Sequence, residues 1–528
     1  MAEEALHWSD VIAQDIISKK GDKDLYVMAA GITPSGTIHI GKFREIITVE
    51  MVARALRRLG KKTRFIYSWD NYDTFRKVPA DMPEQEYLKS VLYNPICDIK
   101  DVFGTAESYA RHNELTLEDN APLVGVVGVE YIHQYKKYRN KDYNDSIIKT
   151  MDNRDRVREI MQEFKTNEIA EDWQPLETYC SNCNRDRVKF GEYDSAAKTI
   201  PYECKLCGHK ETLNLRESNR LKLPWRYDWP MRWAYEKLDF EPAGNDHSSA
   251  SGSRDTGVEL CKKIYDFEPP VYAMYANILP KGQTKKMSSS SGNGMGLPDV
   301  LKVYTPEMIR WIFASYKPDA TFNMAFDLDV LRTYEDFDSM ERWVYGVEGD
   351  NEEKRAAWRR VYEVSQIDEN APLPKEMPFQ PGFRHLCNNL QVNEMDIVKT
   401  RKMYDGEIKN EIDERRFAER AERAKFWLEN FAPDDFVFKL NTKKSDYALT
   451  DAETKFIAAL RDVLSAEWEN FADDNALQNR IGEIAAAHNI EMKAAFKILY
   501  QLLVSRDRGP KLAQFMRVVG KERVLRLL

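Results

Sequence analysis

Four cysteines stand as two pairs, Cys180-x-x-Cys183 and, twenty residues on, Cys204-x-x-Cys207. Paired thiolates at this spacing make a four-sulfur tetrahedral zinc site. With cysteine at every position no place is left for water, so such a zinc is structural. "CGHK" puts His209 nearby as a substitute ligand, but the four-cysteine set is preferred. The remaining three cysteines, Cys97, Cys261 and Cys387, are isolated and read as buried or neutral thiols.

Two further stretches suit phosphate chemistry. "TPSGTIHIGKFRE" (33–45) sits between an apolar run and a helix start. Backbone N–H groups at a helix N-terminus, reinforced by the helix dipole, favour phosphate. Gly36 and Gly41 allow a ligand to approach the backbone, and His39 would sit at the helix mouth. Read alone, this is equally an ordinary strand–helix loop with a surface histidine. "PKGQTKKMSSSSGNG" (280–294) carries Lys281, Lys285 and Lys286, four serines and then glycines. Lysines on such a loop can close over a polyphosphate and neutralise charge that develops during transfer. Alone it also fits a polar linker.

The elements that would position these groups read as α/β. "DLYVMAAG" (24–31) is apolar enough for a buried strand. Phe43, Ile46, Val49, Ala53 and Leu56 then make a helical stripe, which "GKK" (60–62) ends. "TRFIYSWD" (63–70) is the next strand, completing a strand–helix–strand unit of doubly wound type. Residues 96–215 are more polar and read as an insertion. "DFEPAG" (239–244) and "PVYAMYANIL" (270–279) are again strand-like, the latter read as one later strand, so the core resumes, and from about residue 300 the chain reads helical. Pro-rich "ENAPLPKEMPFQPGF" (369–383) reads as a linker.

Together, the two phosphate-directed stretches resemble the HIGH and KMSKS motifs of class I aminoacyl-tRNA synthetases. Here they read His39-Ile40-Gly41-Lys42 and Lys286-Met287-Ser288-Ser289-Ser290. Lys42 replaces the second histidine of the first motif. Ser289 replaces the second lysine of the other, leaving Lys286 as its main charged group. Glutamyl members carry Arg-Phe-Ala-Pro-Ser-Pro-Thr-Gly before the histidine, and their arginine binds the substrate carboxylate. That position is Ala29 here, and a buried carboxylate without a cation is costly, so glutamate is disfavoured.

A longer match is to class I lysyl-tRNA synthetases. "GITPSGTIHIGKFRE", "YSWDNYDTFRKVP" (67–79), "LPWRYDWPMRWAYEKLDFEPAGNDH" (223–247), "KMSSSSGN" and "YQLLVSRDRGPKLAQFMRVVGKERV" (500–524) are similar to that family. The resemblance implies a Rossmann-type nucleotide-binding core with a zinc-bearing insertion and an all-α C-terminal anticodon-binding region. It implies lysine activation with ATP and Mg²⁺, then transfer to tRNA(Lys). His39 and Lys286 would be catalytic, and Gly36, His39, Gly41, Lys42, Lys286, Ser288 and Ser289 would bind ATP. Gly31, Thr33, Trp225, His247 and a tyrosine, Tyr275 in preference to Tyr272, would bind lysine. Asp70, Asp73, Asp228 and Asp246 stay open as partners of the ε-ammonium. At least one of Trp225, Trp229 and Trp233 is expected simply to pack the core.

The expected divisions are 1–95 and 216–295 for the two halves of the core, 96–215 for the insertion, 296–370 for a helical stem-contact region and 371–528 for the anticodon-binding domain. The alternatives are a class I synthetase for another amino acid, glutamyl-like in the nearest case, a small nucleotidyltransferase, and a non-catalytic tRNA-binding paralogue.

The totals agree with a large multidomain protein. There are 528 residues, 43% hydrophobic and 31% charged, with a net charge of −8. This argues against indiscriminate nucleic-acid binding but not against a local basic surface; the basic clusters at 54–64 and 136–141, taken one at a time, read as solvated helix faces. The apolar runs are too short to span a bilayer, and "MAEEALHWSD" has no signal-like segment. A cytoplasmic monomer that does not engage membranes is expected.

Overall fold

A computed structural model describes residues 6–280, 295–509 and 511–528. The serine-rich loop with Lys286, Ser288 and Ser289 therefore lies outside the described residues. The chain divides into two compact units: residues 1–301, 306–324 and 349–373, and residues 302–305, 325–348 and 374–528.

The first unit is built on a parallel sheet. Strand β1 (Leu25–Ile32) pairs with β2 (Lys62–Trp69), which pairs with β3 (Val129–His133). On the other edge of β1, Met28 bridges Phe240 and Phe240 bridges Val271, both parallel. The spatial order is thus β3, β2, β1, the 240 segment and the 271 segment, with order reversing beside β1. In doubly wound sheets ligands bind outside the carboxyl ends of the strands at such a switch point. Both faces of a parallel sheet are covered, which is why β1 is nearly all apolar.

Helix α1 (Trp8–Lys20) and helix α2 (Ile40–Arg58) pack together. The predicted stripe of α2 holds: Phe43, Ile46, Val49, Ala53 and Leu56 are at most 1% exposed. Each large apolar side chain there contributes roughly 1.5–3 kcal/mol. Helix α2 ends at Arg58 with Leu59 as its C-cap, and the chain turns away at Gly60, whose φ of +76° suits glycine. The run 270–279, read as one strand, is broken into three short pairings. Val271 joins Phe240, Met274–Tyr275 pairs with Ala243–Gly244, and Ile278–Pro280 pairs with Phe322–Met324. Each piece meets a different neighbour, so no single ladder extends through it.

Within residues 177–222 the strands Val188–Phe190, Thr199–Cys204 and Lys210–Asn214 form an antiparallel sheet; Cys204 ends its middle strand, Cys207 lies in the turn that follows, and Cys180 and Cys183 precede the sheet. A buried ion cluster ties later helices to α2. Arg310, fully buried, donates to Glu50 at 2.7 Å and to the carbonyls of Val124 and Val364.

The second unit is helical among its described residues. Its longest helix, Glu411–Asn430, carries Arg420, which pairs with buried Asp338 at 2.5 and 3.0 Å. Helices Asp451–Glu467, Asp474–Ala487 and Met492–Val504 bury Phe456, Leu460, Ile481 and Leu499 in one apolar cluster. Residues 366–382, which include most of the predicted linker, form no helix or strand. No helix among the described residues is long and apolar enough to cross a membrane.

Candidate active site and cysteine cluster

The loop after β1 does what its small residues suggest. His39 is the N-cap of α2 with extended backbone (φ −79°, ψ 159°), and it is 7% exposed. Its carbonyl accepts the Lys42 N–H at 2.9 Å. Gly36 is buried and Gly41 half-buried on the same turn. Burial pushes the Lys42 ammonium down to about 8, with the charge of Glu45 opposing the fall.

Behind this loop, at the carboxyl end of β1, lies a recess of polar groups. Gly31 must be glycine because a Cβ there would stand 2.8 Å from Ser68 on β2. Its N–H donates to Glu45 Oε1 at 3.1 Å, and the Tyr275 hydroxyl donates to Oε2 at 2.7 Å. Of the two tyrosines left open, Tyr275 thus faces Gly31, whereas the Tyr272 hydroxyl pairs with Ser248. The Tyr275 ring also lies 3.2 Å from where a Cβ of Gly244 would be.

Thr33 turns the other way. Its hydroxyl donates to Asp73 at 2.7 Å, and Asp73 pairs with buried Lys222 at 2.9 Å. Burial opposes ionisation of Asp73, but the Lys222 ammonium and the Thr33 hydroxyl outweigh it and hold the carboxyl below its ordinary range. Thr33, Ser35, Asp73, Arg76, Lys222 and Trp225 help line a cleft of about 410 Å³.

Helix α3 (Trp225–Glu236) supplies the aromatic wall. Trp225 stacks on Trp229 at 5.1 Å between ring centroids, and His247 approaches both at 5.7 and 5.6 Å. Trp229 and Trp233 are core residues, 4% and 0% exposed, and both donate their indole N–H to Glu241. Trp225 stays half-exposed at the cleft. His247 shares a hydrogen bond with Ser253 at 2.8 Å.

The four carboxylates left open by sequence resolve differently. Arg232 of α3 pairs with Asp70 at 2.6 Å and Asp228 at 3.1 Å, and the Tyr138 hydroxyl donates to Asp228. Asp73 is held by Lys222, and Asp246 is exposed. Two glutamates unmarked by the sequence reading complete the acidic lining. Burial pushes Glu45 up to about 8 despite its hydrogen bonds, with repulsion from Glu241 and Asp70 adding to the shift. Burial pushes Glu241 up to about 7, with Arg232 and the two indoles opposing. A signal for Glu45 existed: it lies three residues beyond Lys42 on the motif helix, but it reads there as a solvated helix position.

The cysteine pairs converge. Cys180 and Cys207 sulfurs are 3.7 Å apart, Cys183 and Cys204 are 3.6 Å apart, and all four lie within 4.8 Å of one another. A tetrahedron of about 2.3 Å zinc–sulfur bonds has edges of about 3.8 Å, so the donor set fits zinc. His209 is directed to Ser181 at 2.9 Å.

Comparisons with known proteins agree with this arrangement. Residues 6–368 match the family model described as tRNA synthetases class I (K), and residues 413–528 match an anticodon binding domain. Curated relatives named lysine–tRNA ligase include one from Borreliella burgdorferi, 44% identical over 98% of both chains. One from Treponema pallidum is 40% identical over 100% of this chain and 99% of its own, and one from Thermococcus kodakarensis is 36% identical over 99% of both. The described residues carry a mixed α/β core and a helical C-terminal region, and the match spans well over half the sequence; the chain belongs to the class I (K) tRNA synthetase family.

Proposed function

We propose that this protein is a lysine–tRNA ligase. It activates L-lysine with ATP to lysyl-adenylate and pyrophosphate, then esterifies the 3′ end of tRNA(Lys). The observation that carries lysine over glutamate is the charge of the recess beyond β1. Carboxylates crowd it, and Ala29 stands where the glutamyl pattern has its arginine.

In the first step an oxygen of the lysine carboxylate attacks the α-phosphorus in line, and the bond to the bridging oxygen breaks as pyrophosphate leaves. The enzyme's contribution is position and charge. His39 and the N-terminus of α2 hold phosphates, Gly36 and Gly41 let the nucleotide lie against the backbone, and Lys42 adds a cation. Lys286, Ser288 and Ser289 are assigned from the motif to the departing pyrophosphate. Mg²⁺, when bound with ATP, neutralises phosphate charge. In the second step a hydroxyl of the terminal ribose attacks the adenylate carbonyl, and AMP departs.

Gly31, Thr33, Trp225, His247 and Tyr275 are the lysine site, with the indole of Trp225 packing the methylenes. Cys180, Cys183, Cys204 and Cys207 hold a structural zinc in the insertion (96–215), which guides the acceptor end. The core halves (1–95 and 216–295) carry the chemistry, 296–370 contacts the tRNA stem, and 371–528 reads the anticodon. The protein acts as a cytoplasmic monomer.

ATP–pyrophosphate exchange with each amino acid, with and without tRNA, tests the proposal. Lysine-dependent exchange is expected; exchange driven by another amino acid would sink it.

A further inference from the structure

Beside the proposed lysine site the cleft is walled by residues 73–77. That wall is gripped by side chains on either side of the first cysteine pair. The Tyr179 hydroxyl donates to the Tyr72 carbonyl at 2.7 Å and lies 3.1 Å from the Thr74 hydroxyl. The Thr74 hydroxyl donates to Asp186 Oδ2 at 2.9 Å, and the Arg76 guanidinium pairs with the same oxygen at 2.9 Å. Tyr179 immediately precedes Cys180, and Asp186 lies three residues after Cys183. Between them the chain closes a tight turn. The Asn184 N–H donates to the Cys180 carbonyl at 2.8 Å, and the Cys180 N–H donates to the Arg185 carbonyl at 3.1 Å. A metal held by both cysteines therefore fixes the two residues that grip the wall.

What the wall presents is positive charge. Arg76 is 54% exposed, Lys77 is exposed, and both line the cleft. Asp186 is only 7% exposed, so its carboxylate is covered while the guanidinium stays open. A guanidinium carries five N–H donors. Among the described residues Arg76 meets only Asp186 and, at 3.9 Å, Glu177. A pre-set guanidinium with a lysine beside it suits a phosphodiester. The other phosphate in the reaction, that of ATP, belongs to the N-terminus of α2.

We infer that Arg76 contacts a phosphate in the acceptor end of tRNA, and that Asp186 and Tyr179 are positioning residues through which the cysteine site sets it. This rests on the proposed transfer to tRNA.

The test is the affinity of a tRNA(Lys) transcript, by fluorescence anisotropy, for the wild type, Arg76→Ala, Asp186→Ala and the double variant, with zinc content measured on each. Removing Asp186 adds net positive charge, so charge alone predicts tighter RNA binding, whereas lost positioning predicts weaker binding. Both single variants are expected to bind about tenfold more weakly, as for loss of one charge-assisted hydrogen bond. They should keep their zinc and a near wild-type KM for ATP in lysine-dependent exchange. The double variant should bind no more weakly than Arg76→Ala, since Asp186 acts through Arg76. Arg76→Ala should also lower the slope of log affinity against log salt by about 0.7, one single-stranded phosphate. On a transcript shortened at its 3′ end, wild type and variants should bind alike. Chelation of zinc from the wild type should weaken binding of the full transcript at least as much as Asp186→Ala does.

Equal or tighter binding by Asp186→Ala, additive losses in the double variant, undiminished losses on the shortened transcript, or a raised KM for ATP overturns the inference. So does full tRNA affinity after zinc is removed. If Asp186→Ala does not fold or loses zinc, Asp186→Asn keeps an acceptor for Thr74 and releases Arg76; it too should weaken binding, and unchanged affinity overturns the inference. A wild type that does not charge tRNA(Lys) overturns the proposed function and this inference with it; a charging wild type with an indifferent Arg76→Ala overturns this inference alone.

Discussion

In the lysine site proposed at Gly31 and Tyr275, which both donate to Glu45, the raised pKa of that carboxyl would make lysine affinity a function of pH. With no substrate, burial pushes this carboxyl up to about 8, against about 4.5 for an ordinary glutamate. Tyr275 and Gly31 donate to it and favour the charged form, while the charges of Glu241 and Asp70 oppose it. At pH 7 the empty site therefore carries a proton, and an ammonium binds only the ionised form. Binding must expel that proton. The lysine ε-amino group stays protonated throughout this range, so the pH dependence of the side-chain contact comes from the enzyme. A group with a pKa of about 8 is about 1% ionised at pH 6 and half ionised at pH 8. Apparent lysine affinity should rise about 50-fold across that interval and level off above it. Partial solvent access screens the shift, which lowers the expected factor towards about 10-fold. Isothermal titration of lysine in two buffers of different ionisation enthalpy measures the proton count directly. Close to one proton released per lysine at pH 7 is expected for the wild type and none for Glu45→Gln. Flat affinity from pH 6 to 8 with no proton release would refute the reasoning. The sign for stability is opposite. With the folded pKa above the unfolded one, the native state binds more protons between about pH 4.5 and 8. The lysine-free protein should lose stability as pH rises through that window.

Three further outcomes follow from local geometry. Gly31→Ala should lose lysine-dependent exchange by at least about tenfold, because the added Cβ meets Ser68 at 2.8 Å and moves the N–H away from Glu45; exchange kinetics with lysine varied check it. Arg310→Met should lower the free energy of unfolding by roughly 1–3 kcal/mol in a denaturant titration, since it removes one of the arginine partners of buried Glu50, which keeps Arg54, and leaves the carbonyls of Val124 and Val364 without this donor. Chelation, or Cys180→Ser, should release one zinc per chain and expose residues 177–222 to proteolysis at native temperature, because the small sheet there is tied through its cysteines; an unchanged digestion pattern after metal loss would remove zinc from the fold.

What could be read in the sequence was local. Helix α2 is legible because its apolar stripe repeats over four turns, and its start is marked by small residues and His39. The cysteine cluster is legible because each pair is a short knuckle and the two resemble each other. The 240 segment was weaker, since "DFEPAG" contributes only brief pairings to the sheet, and 270–279 was misread as one strand because its three pieces serve three neighbours. The acids were the hardest. Asp70 and Asp73 look available until the fold brings Arg232 and Lys222 to them, whereas Asp228 pairs with Arg232 one helical turn on. Glu45 looks like a surface residue until Tyr275, far along the chain, closes over it. Whether a carboxylate is spent or open is a property of contacts between distant segments, and no local pattern encodes it.

The same reasoning explains how one scaffold can select substrates of opposite charge. Two buried cations of the recess, Arg232 and Lys222, are both held by neighbouring aspartates. Glu45 and Glu241 are then left with neutral donors only. Their pKa values are pushed to about 8 and about 7, so in the empty enzyme protons do the work of a counter-ion. A lysine side chain replaces such a proton with its own ammonium and adds the contact of its methylenes. Glutamate would bring another anion to a site whose acids already repel one another, and the wall offers no arginine at position 29 to receive it. Selection against glutamate is thus carried by the absence of a free cation among the described residues of the recess rather than by size, which is why an uncharged isostere of lysine is the sharper probe of this pocket than a bulkier one.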